Sequence, residues 1–320
     1  MISSKIVGVG SYLPEKVLTN TDLEKFLDTS DAWIYQRTGI KKRHIADKQQ
    51  NTSDLATIAV ERALQNACIN ANDLDALILA TTTPDFIFPA TSVRVQHNIQ
   101  MKSGFAFDIQ AACSGFIYAL QLGDSLIKSK KAKKVAIIGA ETMSRIVNWH
   151  DRSTSILFGD GAGSVIIEET SPNDPMGIID IELFSDGSLQ DILSVEGGLP
   201  TSNTKKTITM NGREVFKHAV NKIADSIQSL VYKNGLNIQN LDWVLLHQAN
   251  ERIIKSVMKK INLSIEKGVS TVGCHANTSA ASIPLALDNY ISCGKIKPRD
   301  LVVFAAVGSG LTWGSVLLKI

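Results

Sequence analysis

The chain has 320 residues, 44% of them hydrophobic and 20% charged, with a net charge of +2. That is enough apolar material for a large core in two lobes or domains, and it excludes a disordered or low-complexity chain. So small a charge gives no overall attraction to nucleic acid or to an anionic membrane. The four cysteines, Cys68, Cys113, Cys274 and Cys293, show no CxxC spacing, which indicates neither a disulfide framework nor a zinc site.

The first ten residues lack the long apolar core of a secretory leader, and no apolar run reaches the ~18 residues of a membrane span, so a cytoplasmic protein is expected. Short apolar runs then alternate with amphipathic stretches, the pattern of an α/β protein. In chain order the sequence predicts a strand at 5–9, a helix at 53–65, strands at 76–81 and 106–109, and a helix at 114–128. Strands at 134–139 and 164–167, a helix at 214–233, a strand at 243–246, a helix at 280–292 and strands at 301–305 and 315–318 follow. The helix at 214–233 is the plainest: Phe216, Val220, Ile223, Ile227 and Leu230 form one stripe, and Asn234 with Gly235 supplies a stop.

The halves echo each other. Residues 73–81 resemble 240–248, 134–139 resemble 300–305, and 161–167 resemble 312–318, in the same order. Each match is weak alone, but the shared order indicates a duplicated α/β unit. The boundary is expected near 169–177, where SPNDP reads as a linker, giving halves 1–170 and 171–320. A site drawing on both halves would lie between them.

Cys113 ends an apolar strand-like run and precedes a helical stripe of Phe116, Ala119, Leu120 and Ile127. A thiol at a helix N-terminus is expected to have a lowered pKa and to act as a nucleophile. A buried cysteine filling a small gap is the alternative, and the residue alone does not choose between them. His247 stands where a strand gives way to a helix, and Asn277 lies in a small-residue loop before another. Taken singly, they read as a structural histidine and a turn or cap asparagine. Gly308, Ser309 and Gly310 separate two strands, either as a tight turn or as backbone that offers N–H groups to an oxyanion. Together, Cys, His and Asn at strand ends make a nucleophile with two donors.

Seven phrases add specificity: DTSDAWI at 28–34, RTGI at 37–40, AACSG at 111–115, FGDGAG at 158–163, MNGREVFK at 210–217, HQAN at 247–250 and NTSAAS at 277–282. In this order they resemble the β-ketoacyl-acyl-carrier-protein synthase III family of the thiolase-like superfamily, from residue 5 to the end. The resemblance implies a five-layer αβαβα fold and a homodimer. It implies that Cys113 takes an acyl group, most often acetyl, from acyl-CoA, after which malonyl-acyl-carrier protein loses CO2 and attacks the thioester. His247 and Asn277 would hold the malonyl thioester oxygen. The N–H groups of Cys113 and Ser309 would cradle the other carbonyl.

By position, Trp33 and Arg152 resemble the pair that sandwiches the CoA adenine, and Arg37 resembles a phosphate ligand. Phe88 matches a residue that reaches across the dimer to line the partner's acyl pocket, and Met143 and Phe158 lie near that pocket. Arg252, Lys255 and Lys259 share one helical face and, with Lys217, form a candidate patch for the acidic carrier protein; a solvated polar face is the plain alternative. No cofactor is implied beyond CoA thioesters as substrates, and no metal, nucleic acid or membrane.

Some positions depart from the commonest family pattern. Val307 stands for a frequent Phe, Ser309 for a frequent Gly, and Ala276 for a frequent Gly before Asn277. His275 is expected on the loop surface. Rival readings are a condensing enzyme of secondary metabolism and an acyltransferase that moves acyl groups without decarboxylation. A catalytically silent subunit would be expected to have lost the nucleophile.

Overall fold

Two β-sheets face each other across a pair of buried helices, and further helices cover their outer faces. The computed structural model describes residues 3–171, 174–196 and 207–320. Pro172 and Asn173 of the expected linker lie outside the described residues. The first half contains β1 (Ser3–Tyr12), β2 (Val17–Thr19), α1 (Asn20–Glu24), α2 (Asp31–Thr38), β3 (Lys42–His44), α3 (Thr52–Ala67) and β4 (Ala76–Ala80). It continues through α4 (Thr91–Asn98), β5 (Phe105–Ile109), α5 (Gly115–Lys128), β6 (Lys134–Thr142), α6 (Arg152–Ser155) and β7 (Asp160–Thr170). The second half contains β8 (Gly177–Ser185), β9 (Leu193–Ser194), β10 (Thr209–Met210), α7 (Gly212–Lys233) and β11 (Trp243–Leu246). After these come α8 (Glu251–Lys260), α9 (Val272–His275), α10 (Ser282–Ser292), β12 (Leu301–Gly308) and β13 (Thr312–Lys319).

The strand order is β1-β7-β6-β4-β5 in one sheet and β8-β13-β12-β11 in the other. The pairings correspond as well: the first two are antiparallel and the third parallel in each sheet. The weak sequence echoes therefore fall on equivalent strands, β4 with β11, β6 with β12 and β7 with β13. Where β5 extends the first sheet beyond β4, an isolated parallel bridge from Val244 to Gly268 stands in the second.

The central strands are apolar on both faces because both faces are covered. On β4, Ala76, Ile78 and Ala80 point into the middle layer, while Leu77 and Leu79 meet α3. On β12, Val302, Phe304 and Ala306 point inward and Leu301, Val303 and Ala305 meet α7 and α8. The middle layer is α5 and α10, whose Phe116, Leu120, Ile283 and Leu287 share one core with both sheets. The result is the expected five-layer αβαβα architecture. The alternating strand β8 was not expected from sequence. It is an edge strand: Ile181 and Leu183 pack inward, and Asp180 and Glu182 meet Lys233 at 2.9 and 3.0 Å.

Candidate active site

Cys113 lies in a single 3-10 turn, Ala112–Ser114, between β5 and α5. Ala112, immediately before it, takes a left-handed φ of 46°, which turns the chain sharply into the helix. The second half repeats the device: Ser279, with φ 50°, opens the turn Ser279–Ala281 before α10. The two turns meet at the centre, where Gly115 packs so that an added Cβ would lie 3.6 Å from Ala280 Cβ. The Ala111 carbonyl accepts from Ser114 N–H, Ser114 Oγ and Thr312 Oγ1, which ties the cysteine turn to β13.

Gly308 ends β12 against this turn. A Cβ there would stand 2.7 Å from the Ala111 carbonyl and 2.8 Å from Cys113 N, so the position admits glycine alone. Ser309 follows without a positive φ, and its hydroxyl donates to the Leu193 carbonyl. Among the described residues, the N–H groups of Cys113 and Ser309 have no protein oxygen as acceptor. Val307 lines the cavity beside them.

His247 directly follows β11, its own N–H still bonded to the Ala305 carbonyl at 2.9 Å. Its Nδ1 is 2.6 Å from Ser282 Oγ, and Ser282 Oγ also accepts from Gln248 N–H at 3.3 Å. Ser282 is buried, and among the described residues its own proton has no other acceptor, so it donates to Nδ1. That assigns the His247 proton to Nε2. Burial holds this imidazole down to about 4, so it is neutral at ordinary pH. Asn277 is fixed by its backbone, whose N–H bonds Leu157 O at 2.9 Å and whose carbonyl accepts from Gly159 N–H at 3.0 Å. Its Oδ1 accepts from Ser279 N–H at 2.9 Å, which leaves the amide NH2 as its free donor. The turn role expected of Asn277 therefore leaves its amide donor available to the cavity.

Cys113, His247 and Asn277, all buried, line one cavity of about 430 Å³, which extends to the exposed Arg37, Arg213 and Arg252. A second cavity of about 500 Å³ shares Cys113, Phe158 and Leu193 with it and is bounded by Met143, Ile146, Ile208 and Ser279. Cys113 stands where the two meet. Trp33 is half-buried, with the Arg37 guanidinium 4.4 Å and the Arg152 guanidinium 5.2 Å from its ring centre. Arg152 also donates to the Asp28 carbonyl at 2.6 Å. Lys217, Arg252, Lys255 and Lys259 are exposed on α7 and α8, with Arg252 over the Phe216 ring and Lys255 3.7 Å from Glu251. Phe88 is 82% exposed and lies outside both cavities.

Two expectations are corrected. The helix N-terminus favours a thiolate at Cys113, but enclosure outweighs it. Burial pushes the thiol up to about 11; the Ser279 hydroxyl draws it down and the Glu141 carboxyl pushes it up again. Enclosure thus favours the neutral thiol at Cys113. His275 is only partly at the surface: it closes the short helix α9 with its Nδ1 buried, and burial holds it down to about 4, helped by His44 and Lys42. Sequence reading also missed Arg213, although it sits within the MNGREVFK phrase, and it missed Glu141 and Ser279 beside the thiol.

The family profiles of 3-oxoacyl-[acyl-carrier-protein] synthase III match residues 107–187 and, for its C-terminal part, 231–320. The β-ketoacyl-[acyl-carrier-protein] synthase III of Ehrlichia canis (strain Jake) is 51% identical over 320 residues, covering 100% of both chains. That of Wolbachia pipientis wMel is 53% identical over 319 residues, covering 99% of each. The crystal structure of 3-oxoacyl-[acyl-carrier-protein] synthase III from Aquifex aeolicus VF5 superposes with a TM-score of 0.93 at 46% identity, over 99% of this chain and 100% of that one. With the fold, the site and full-length similarity in agreement, the chain belongs to the β-ketoacyl-acyl-carrier-protein synthase III family, condensing acyltransferases of the thiolase fold that initiate fatty-acid synthesis.

Proposed function

We propose that the chain condenses acyl-CoA, acetyl-CoA first among them, with malonyl-acyl-carrier protein to give 3-oxoacyl-carrier protein, CO2 and CoA. The observation that carries this reading is a single cavity walled by a buried thiol and two neutral hydrogen-bond donors, His247 and Asn277. Cys113 forms the acyl thioester. The Cys113 and Ser309 N–H groups stabilise the oxyanion of its carbonyl as the tetrahedral adducts form. When malonyl thioester loses CO2, negative charge grows on its carbonyl oxygen. His247 Nε2–H and Asn277 Nδ2–H donate to that oxygen without surrendering a proton. In an enclosed site such a donor lowers the barrier by about 3–4 kcal/mol.

The remaining assignments follow the same reading. Trp33 and Arg152 take the adenine of CoA, and Arg37 its phosphates; the guanidinium stacking on Trp33 supports this. Arg213 and Arg252 extend the cationic end of the cavity. The acyl chain enters the second cavity beside Met143. A homodimer in which Phe88 reaches the partner's acyl pocket is supported by the exposure of Phe86, Ile87 and Phe88. Lys217, Arg252, Lys255 and Lys259 dock the acidic carrier protein. The halves divide at 170/171, the protein works in the cytoplasm, and CoA thioesters serve as substrates with no further cofactor. Among the described residues, no helix is long and apolar enough to cross a membrane.

The test is to offer acyl-CoAs from acetyl to decanoyl and locate the acyl group by peptide mass spectrometry. Acetyl on Cys113, absent in Cys113→Ala, is expected. Acylation only by long or aromatic primers would instead move the chain to secondary metabolism.

A further inference from the structure

Arg43, in the middle of β3, is fully buried and has no part in the chemistry described so far. Among the described residues its three acceptors are neutral oxygens, and its Nε–H has no hydrogen-bond partner. Burial pushes the guanidinium down to about 10, which leaves it a cation at neutral pH. A buried charge without a counter-charge carries a desolvation penalty that an apolar side chain of similar length avoids. Filling the core does not explain it. What a guanidinium alone supplies is several N–H donors fixed in one plane.

Those donors join three segments. Nη1 donates to the Leu18 carbonyl on β2 at 3.1 Å, and Nη2 donates to Asn20 Oδ1 at 2.9 Å and to the Ile156 carbonyl at 3.0 Å. Asn20, itself buried, carries the connection further: its Nδ2 donates to Asp31 Oδ1 at 2.8 Å and to the Ile40 carbonyl at 2.7 Å. Asp31 opens α2 and Ile40 stands just beyond its end, so this one amide holds both ends of the helix. Ile156 directly follows α6. Arg43 therefore links the helix that carries Trp33 and Arg37 to the helix that carries Arg152. An apolar cluster of Leu23, Leu27, Ile34 and Ile156 joins the same two helices, with Trp33 packed against it. Hydrophobic contact is non-directional, whereas hydrogen bonds from a rigid fork fix the register.

We infer that Arg43 is a positioning residue for the nucleotide end of acyl-CoA: by way of Asn20 and Ile156 it sets the placement of Trp33 relative to Arg152. This rests on the reading that those two residues take the CoA adenine. The Arg152 guanidinium stands 5.2 Å from the Trp33 ring centre, a spacing that a small slide of either helix would change. Acylation of Cys113 is the step that reports on it cleanly. Leu157, next to Ile156, accepts from Asn277 N–H, so a change at Arg43 also reaches a donor used in condensation. An acyl-pantetheine carries the same thioester and arm as acyl-CoA without the nucleotide. It needs the thiol and the cavity, and it makes no use of the Trp33 platform.

The experiment compares acetyl-CoA with acetyl-pantetheine as donors to Cys113, by rapid quench and intact mass over a range of donor concentrations. Wild type, Arg43→Met, Asn20→Asp and Trp33→Ala are measured side by side. Wild type is expected to favour acetyl-CoA in the ratio of acylation rate to half-saturating concentration. Arg43→Met is expected to reduce that preference roughly tenfold, through a higher half-saturating concentration of acetyl-CoA. Its acylation by acetyl-pantetheine should stay within about twofold of wild type. Asn20→Asp keeps an oxygen for Arg43 and removes the two N–H donors to α2, so it should show the same donor-specific loss. It decides the matter if Arg43→Met does not fold. Equal slowing with both donors shows Arg43 to be structural only and overturns the positioning role, as does an unchanged preference for acetyl-CoA. Preference lost in Trp33→Ala but kept in Arg43→Met removes the role of Arg43 alone. Preference kept in Trp33→Ala, or absent from wild type, removes the adenine reading and the role of Arg43 with it.

Discussion

Asn277 holds a turn together and, in the proposed reaction, also serves as a donor. With its oxygen engaged by Ser279 N–H, rotation of the amide is blocked and the NH2 group points where charge is to be stabilised. Replacing that NH2 by a carboxylate oxygen sets like charge against the enolate. Asn277→Asp is therefore expected to lower condensation by at least ~10²-fold, while acetylation of Cys113 persists. Paired measurements of acylation and product formation check this. His247 and His275 lead to a different prediction. Both are held down to about 4 by burial, below the ordinary value of 6.5, so the unfolded chain binds their protons first as pH falls. Stability is then fully present above about pH 6.5 and declines toward pH 4, with on the order of 2 kcal/mol lost per histidine by pH 5. Urea midpoints measured between pH 7 and pH 5 should show this slope, and His275→Asn should lower it. The positions of Cys113, His247 and Asn277 were legible in sequence because each is flanked by its own distinctive phrase. The upward push of burial on the thiol was not. Helix position is a local property, whereas the enclosure that raises the thiol comes from both sheets and the charge that adds to it from Glu141, distant in the chain.

At the scale of elements, the two cysteine-like turns are the device that brings the halves to one point. Ala112 and Ser279 take left-handed φ values in equivalent places, before the two helices of the middle layer. The loop leading to the second turn carries further strain. Ala276 has φ 58° and ψ −162°, a region suited to glycine. Its substitution for the family's frequent glycine was noticed in sequence, but its meaning depends on a backbone angle that sequence does not state. Ala276→Gly is expected to raise stability by about 1 kcal/mol, with acylation unchanged; chemical denaturation checks it. Long central strands and helices were legible through their apolar runs and stripes, but β8 was not. Its alternation of Ile and acidic residues marks an edge strand half in contact with solvent, a weaker signal than a strand buried on both faces.

For the whole molecule, the duplication was readable from three short echoes because their order repeats, and the sheets repeat that order with matching pairings. The segment before α4 exposes three consecutive large apolar residues. Phe86 is 50%, Ile87 76% and Phe88 82% exposed, with Phe105 on the open edge strand also exposed. Apolar groups clustered in this way mark an interface. If the proposed homodimer forms through this face, Ile87→Glu is expected to leave a monomer in sedimentation equilibrium and to slow condensation. The most direct measurement supplies acetyl-CoA and malonyl-acyl-carrier protein to the purified protein and follows 3-oxobutyryl-carrier protein and CO2 together. Equal formation of both, abolished by Cys113→Ala, is the expected result. An acetylated Cys113 that yields neither product would show that the site transfers acyl groups without condensing them, and would contradict the proposed function.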